Sequence, residues 1–262
     1  STTNGDISLK ATNGSIVTET LNSGTANISL IAGTTINDID ANSLISANNL
    51  TLKSGTGVGS STNFLNTSIT NLIVDSITTG GLFIKENSSL GIDDLSTGIS
   101  LVGDIMIDAS SSINLTESLT STAGKIVINV TNGSFNATKF ITASGNILIQ
   151  TVDSGSTGTY NVTLDGVLSS STGYISVKSD YDITQNANIS TSGSTKTIEL
   201  IAVNDITMAD GTVISSTNGN ILLNSGNNIS IENITAGTAS VSITSTGNLI
   251  DIDTASDIEV DI

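Results

Sequence analysis

The chain has 262 residues and a formal net charge of −17, and it contains no Pro, Cys, His or Trp; its seven basic residues are all Lys. That charge, with no basic cluster to offset it, excludes a nucleic-acid partner, and no apolar run approaches the roughly 20 residues needed to insert in a membrane. The absence of cysteine excludes a disulfide framework.

Ser, Thr, Asn and Gly dominate, yet mean hydropathy is positive and Ile, Val and Leu fall at regular places, which separates the chain from a solvated disordered tail. The β-branched excess without Pro points to strands whose interiors keep every N–H donor. In chain order, a short pattern recurs: Gly or Asn, any residue, aliphatic, any residue, aliphatic. It reads GDISL, ANISL, NNLTL, GDIMI, GKIVI, GNILI, GYISV and GNILL. The first aliphatics are Ile7, Ile28, Leu50, Leu82, Ile105, Ile126, Ile147, Ile175, Ile198, Ile221 and Val241, mostly 20 to 23 residues apart. That period is the length of a solenoid coil, and these eleven residues are the expected core ladder.

A second anchor follows about eight or nine residues later at Ile16, Ile36, Val58, Leu90, Ile113, Phe135, Ile183, Ile206, Ile229 and Leu249. Small polar corners lie between the anchors, among them Asn13-Gly14, Gly33, Gly55, Asn132-Gly133 and Gly226-Asn227. The steps from Leu50 to Leu82 and from Ile147 to Ile175 are long and hold the strand-like runs NLIVD and NVTLD. They are expected to be coils with an inserted loop or a third strong strand. Alternation sets Ile7 and Leu9, or Ile126 and Ile128, toward the core and Asp6, Ser8, Lys125 and Val127 away from it. Pairing at i and i+2 without i+3 and i+7 excludes helix. One solenoid domain over residues 1–262, with eleven or twelve coils, makes a rod roughly 55 Å long. A single coil cannot bury enough surface to stand alone, so stability must come from stacking.

The segments NGDISLKATNGSI, SGNILIQT and TNGNILLNSGNNISI resemble the filamentous haemagglutinin-type repeats of very large secreted bacterial adhesins, and the resemblance covers nearly the whole chain. It implies a right-handed parallel β-helix, export to the cell surface or beyond, and a role in adhesion or in spacing an adhesive tip from the cell. No cofactor is implied. Neither end reads as a cap, so the expected partners are flanking repeats of a longer chain or further copies stacked end to end or side by side, with cell-surface glycans as a possible ligand.

Candidate chemistry is sparse. Asp93-Asp94 is an adjacent acidic pair, but strand neighbours point to opposite faces, and a polysaccharide-active β-helix enzyme wants basic groups that are few here. The alternation of Asp251, Asp253, Asp257, Glu259 and Asp261 with aliphatics puts carboxylates on one face; Asp251 and Asp253 are the candidate calcium ligands, against the plainer reading of a solvated acidic face. Tyr160, Tyr174 and Tyr181 near the second long step are the candidate glycan-binding aromatics, against the plainer reading of corner packing. No Thr-x-Thr column of an ice-binding face recurs. Asn-x-Ser/Thr sequons include Asn27, Asn114, Asn129, Asn161, Asn188, Asn228 and Asn233, which keeps a glycosylated surface layer or sheath as an alternative.

Overall fold

A computed structural model describes residues 1–92, 98–155, 158–252 and 260–261. The described chain is a β-solenoid of about eleven coils, with parallel strands stacked coil on coil and no helix among the described residues. A coil has a long strand and two short ones. In one of them these are Ile126–Thr131, Phe135–Ala137 and Ile141–Ala143, which pair in parallel with Ile147–Val152, Val162–Leu164 and Leu168–Ser170 of the next. The inward residues Ile126, Ile128, Val130, Phe135, Ala137, Ile141 and Ala143 are at most 1% exposed, so each coil shares one apolar interior with its neighbours.

The third strand of the coil was not expected from the aliphatic pattern. It builds a sheet of its own, from Ile99–Leu101 through Leu119–Ser121 and Ile189–Thr191 to Val260–Asp261. Its second inward residue is often a hydroxyl: Ser121, Ser170, Thr191 and Ser216. These buried hydroxyls serve the adjoining corner. Ser121 Oγ donates to the Gly103 carbonyl (2.7 Å) and accepts from Gly124 N (3.0 Å), and Ser170 Oγ does the same for Gly145 O and Gly173 N (2.8 Å each). A Ser-x-x-Gly spacing thus satisfies corner backbone groups that no strand pairs.

Those corners form a glycine column. A Cβ on Gly103 would lie 2.6 Å from the Gly80 backbone, one on Gly124 2.5 Å from Gly103, and one on Gly173 2.2 Å from Gly145. Successive coils come closer here than any side chain permits.

From Ile105 onward the ladder residues pair one to the next, Ile105, Ile126, Ile147, Ile175, Ile198, Ile221 and Val241, and Ile7, Ile28 and Leu50 do so at the start. The step from Ile147 to Ile175 is a direct pair; the strand Ile147–Val152 ends at Val152, and Val162 of the NVTLD run takes the second-anchor place between Phe135 and Ile183.

The step from Leu50 to Leu82 is corrected. Leu50 pairs with Leu72 of the NLIVD run, whereas Leu82 lies over Val58 and under Ile105. Leu72 in turn pairs with Ile92. The long strand therefore changes face between Leu72 and Leu82: Leu82–Glu86 covers Val58 and residues 65–67 together, spanning the turn in which Ser60 and Asn63 make an antiparallel bridge. The physical reason is that the thirteen-residue strand Leu65–Ile77 fills parts of two coils, so the next Gly-x-Leu-x-Ile copy arrives out of phase with the first column.

This seam holds buried carboxylates. Glu86 is fully buried; its carboxylate accepts from Thr67 Oγ1 (2.6 Å), Ile69 N (3.1 Å) and Ser88 N (2.8 Å). Asp38, 4% exposed, accepts from Asn66 N (3.1 Å) and Asn66 Nδ2 (2.7 Å). Both acids take donors where the regular ladder is interrupted.

Two substitutions check these roles by urea denaturation. Gly124→Ala should cost about 1–3 kcal/mol by forcing neighbouring coils apart, while Gly14→Ala, with nothing within 4 Å of its Cβ position, should be neutral or stabilising by up to about 1 kcal/mol. Glu86→Ala should cost at least about 1–3 kcal/mol through the buried donors it strands, and an equal loss from the exposed Glu19→Ala would refute that account.

Candidate functional site

Strand alternation makes the second residue of each long strand point outward, and the pairings put Phe83, Met106, Val127, Leu148, Ser176, Glu199, Leu222 and Ser242 in one column. Its first half is apolar and half-buried, and Phe83 meets Phe64 edge to face with ring centroids 5.9 Å apart. At Ser176 the bulk of the column disappears.

The result is a groove of about 450 Å³ whose walls include Tyr174, Ser176, Glu199, Asn220, Leu222 and Ser242. Tyr174 stands immediately before Ile175 in a slot held by Asn146, Asn220 and Ser240 in other coils, and it is 45% exposed. Its backbone N donates to Asn146 Oδ1 (3.0 Å), and the Lys196 ammonium lies 4.5 Å from its ring centroid. That cation–π contact fixes the ring. On the groove floor Glu199 accepts from Ser176 Oγ (2.8 Å) and pairs with Lys178 Nζ at 3.3 Å. The pair is partly exposed and orients the carboxylate more than it stabilises the fold.

The three tyrosines are not brought together. Tyr160 and Tyr181 each stand two residues ahead of a paired second anchor, Val162 and Ile183, so they occupy equivalent corners of neighbouring coils. The strand Ile175–Ser179 separates that corner from Tyr174. The Tyr160 ring closes over Gly158, where an added Cβ would come within 2.2 Å of it, and its carbonyl accepts from Thr151 Oγ1 and Ser179 Oγ at 2.9 Å each. The Tyr181 carbonyl accepts from Asn204 N (2.9 Å). Tyr160 and Tyr181 are held in the corner, and Tyr174 is the one set against a groove.

Asp251 is exposed at the end of the strand Leu249–Asp251, paired with Ile231. Asp253, Asp257 and Glu259, like Asp93 and Asp94, lie outside the described residues. Among the described residues no group of three or more His, Cys, Asp or Glu side chains could hold a metal ion.

Many sequon asparagines work in ladders that run between coils. Asn27 Nδ2 donates to Asp6 Oδ1 (3.2 Å), Asn49 Nδ2 to Asn27 Oδ1 (2.7 Å) and Asn71 Nδ2 to Asn49 Oδ1 (2.9 Å). Asn129 Nδ2 likewise donates to Asp108 (2.6 Å) and Asn228 Nδ2 to Asp205 (3.2 Å). The nitrogen that a glycan would need is committed at four sequons, Asn27, Asn49, Asn129 and Asn228. The pattern that suggested modification also has a structural explanation that sequence reasoning missed: amides in register stack like the strands that carry them.

No protein-family model, no curated protein and no solved structure matches the chain.

Asn49→Ala, which removes both bonds of a ladder rung, should lower stability by about 1–2 kcal/mol in thermal or urea unfolding, whereas Asn224→Ala on an exposed outward position should change it by less than about 0.5 kcal/mol.

Proposed function

We propose that the chain is a stiff, non-catalytic segment of an extracellular surface protein, serving as shaft and adhesive surface together. The observation that carries this reading is the unbroken stacking of long strands from Leu82 to Val241 through glycine, hydroxyl and amide columns. Such a stack transmits length without a hinge, because each coil is held by both neighbours. The resemblance of its repeats to filamentous haemagglutinin-type adhesins supports the same location and role. A right-handed winding belongs to this reading, since parallel strands joined by crossovers wind that way in about 98% of cases. Self-association by stacking on flanking repeats or further copies fits the same surface role.

Antibody raised against the purified chain should label intact source cells, at projections visible by electron microscopy. Labelling that appears only after the cells are permeabilised would overturn an extracellular shaft.

A further inference from the structure

We propose that the Tyr174 groove binds a short run of neutral saccharide. The groove crosses four successive coils, from Tyr174 and Ser176 through Glu199 and Leu222 to Ser242, which at the strand separation is roughly 15 Å of sheet face. Its polar lining is of the kind that meets sugar hydroxyls: Ser176, Thr197, Ser240 and Ser242, the Asn220 amide and the Glu199 carboxylate. One aromatic ring and one leucine supply the apolar surface on which a sugar's C–H face can rest.

Three features narrow the ligand. The groups are preorganised: Tyr174 is fixed under Lys196, Glu199 is held by Ser176 and Lys178, and Asn220 Oδ1 accepts from Ser240 N (3.1 Å). Little ordering is therefore needed on binding. Next, Lys178 and Lys196 are already engaged with Glu199 and Tyr174, and the chain carries −17, so nothing beside the groove favours a sulfated or uronic glycan. Finally, an apolar peptide would strip water from these hydroxyls, the amide and the carboxylate without replacing its hydrogen bonds. A polyhydroxylated neutral ligand replaces them.

This inference rests on the adhesive half of the proposed function, but binding is measured on the purified chain and surface exposure on cells, so either can fail alone. The probes are cellotriose, maltotriose and tri-N-acetylchitotriose, titrated by calorimetry and by saturation-transfer NMR. At least one should bind with Kd of about 1 mM or tighter, with saturation transfer from the Tyr174 ring. Tyr174→Ala should weaken it about tenfold. Ser176→Leu should abolish it, and because that change installs the residue the preceding coil already carries at Leu148, the melting curve should stay unchanged. Failure of all three trisaccharides to bind overturns the proposal, as does binding that survives both substitutions or that an apolar peptide displaces from the groove.

Discussion

The parallel ladder between successive coils is the constraint on which the rest of this molecule depends. Each coil lends its backbone donors and acceptors to the coils on either side, and the strand separation leaves about 4.8 Å per layer. Whatever residue occurs at a given place must therefore fit against the residue at the same place in the next layer. Inside, Ile on Ile and Leu on Ile satisfy this by burying like shapes in register. At the tight corner only glycine fits, and the column from Gly80 to Gly173 is the outcome. Where a polar side chain flanks the strand, an amide is suited because it can accept from one layer and donate to the other, as Asn27 and Asn49 do. The unusual composition, rich in Gly, Asn, Ser and Thr and without Pro, follows from this single geometric demand.

The seam between Leu72 and Leu82 shows what that demand costs when the repeat falls out of step. Beyond Thr67 the strand Leu82–Glu86 no longer covers Leu65–Ile77, so the N–H of Ile69, a residue paired with Ala47 on its other side, meets no ladder carbonyl, and in a dry interior an unpaired donor is costly. Glu86 and Asp38 sit where those donors are, both buried, both accepting from main-chain nitrogen. Charged groups occur in the interior at the irregularity, while the interior of the regular coils is apolar apart from small hydroxyls and an occasional amide or acid. The acids thus replace pieces of ladder that the phase change removes.

Legibility in the sequence follows the same physics. The long strand was readable because two inward aliphatics recur with a spacing of two, and the short second strand because its first residue is large. Its copy at Val162 was hidden only by the inserted loop that displaces it from the usual distance. The third strand was not readable as a third face: its second inward residue is Ser121, Ala143, Ser170 or Thr191, and a lone aliphatic among Ser and Thr carries no period. Its trace is the Ser-x-x-Gly spacing, meaningful once the hydroxyl is seen bonding to the corner. At the seam, Gly-Leu-Phe-Ile after Gly80 matches the repeat in type, and local pattern contains nothing that says which face it will join; pairing between Leu82 and Val58 is a long-range fact. For the candidate site, sequence offered Tyr174 but grouped it with Tyr160 and Tyr181, because nearness along the chain does not reveal that a strand lies between them.

Since the inward, corner and amide columns are fixed by stacking, differences among coils are concentrated at the outward strand positions and the inserted loops. Along the outward column the side chains run from Phe83, Met106, Val127 and Leu148 to Ser176, Glu199, Leu222 and Ser242, although the backbone beneath them repeats. A groove in such a surface needs no special loop or bend; it needs a small residue where the neighbouring coil has a large one. Replacing leucine by serine between one layer and the next lowers the surface, and a tyrosine in the adjoining asparagine slot raises a wall beside it. Recognition can thus be built on a rigid rod with little loss to the stack: the outward strand position is left free by the ladder, and only Tyr174 takes a slot in which Asn146 and Asn220 accept from the next coil's backbone.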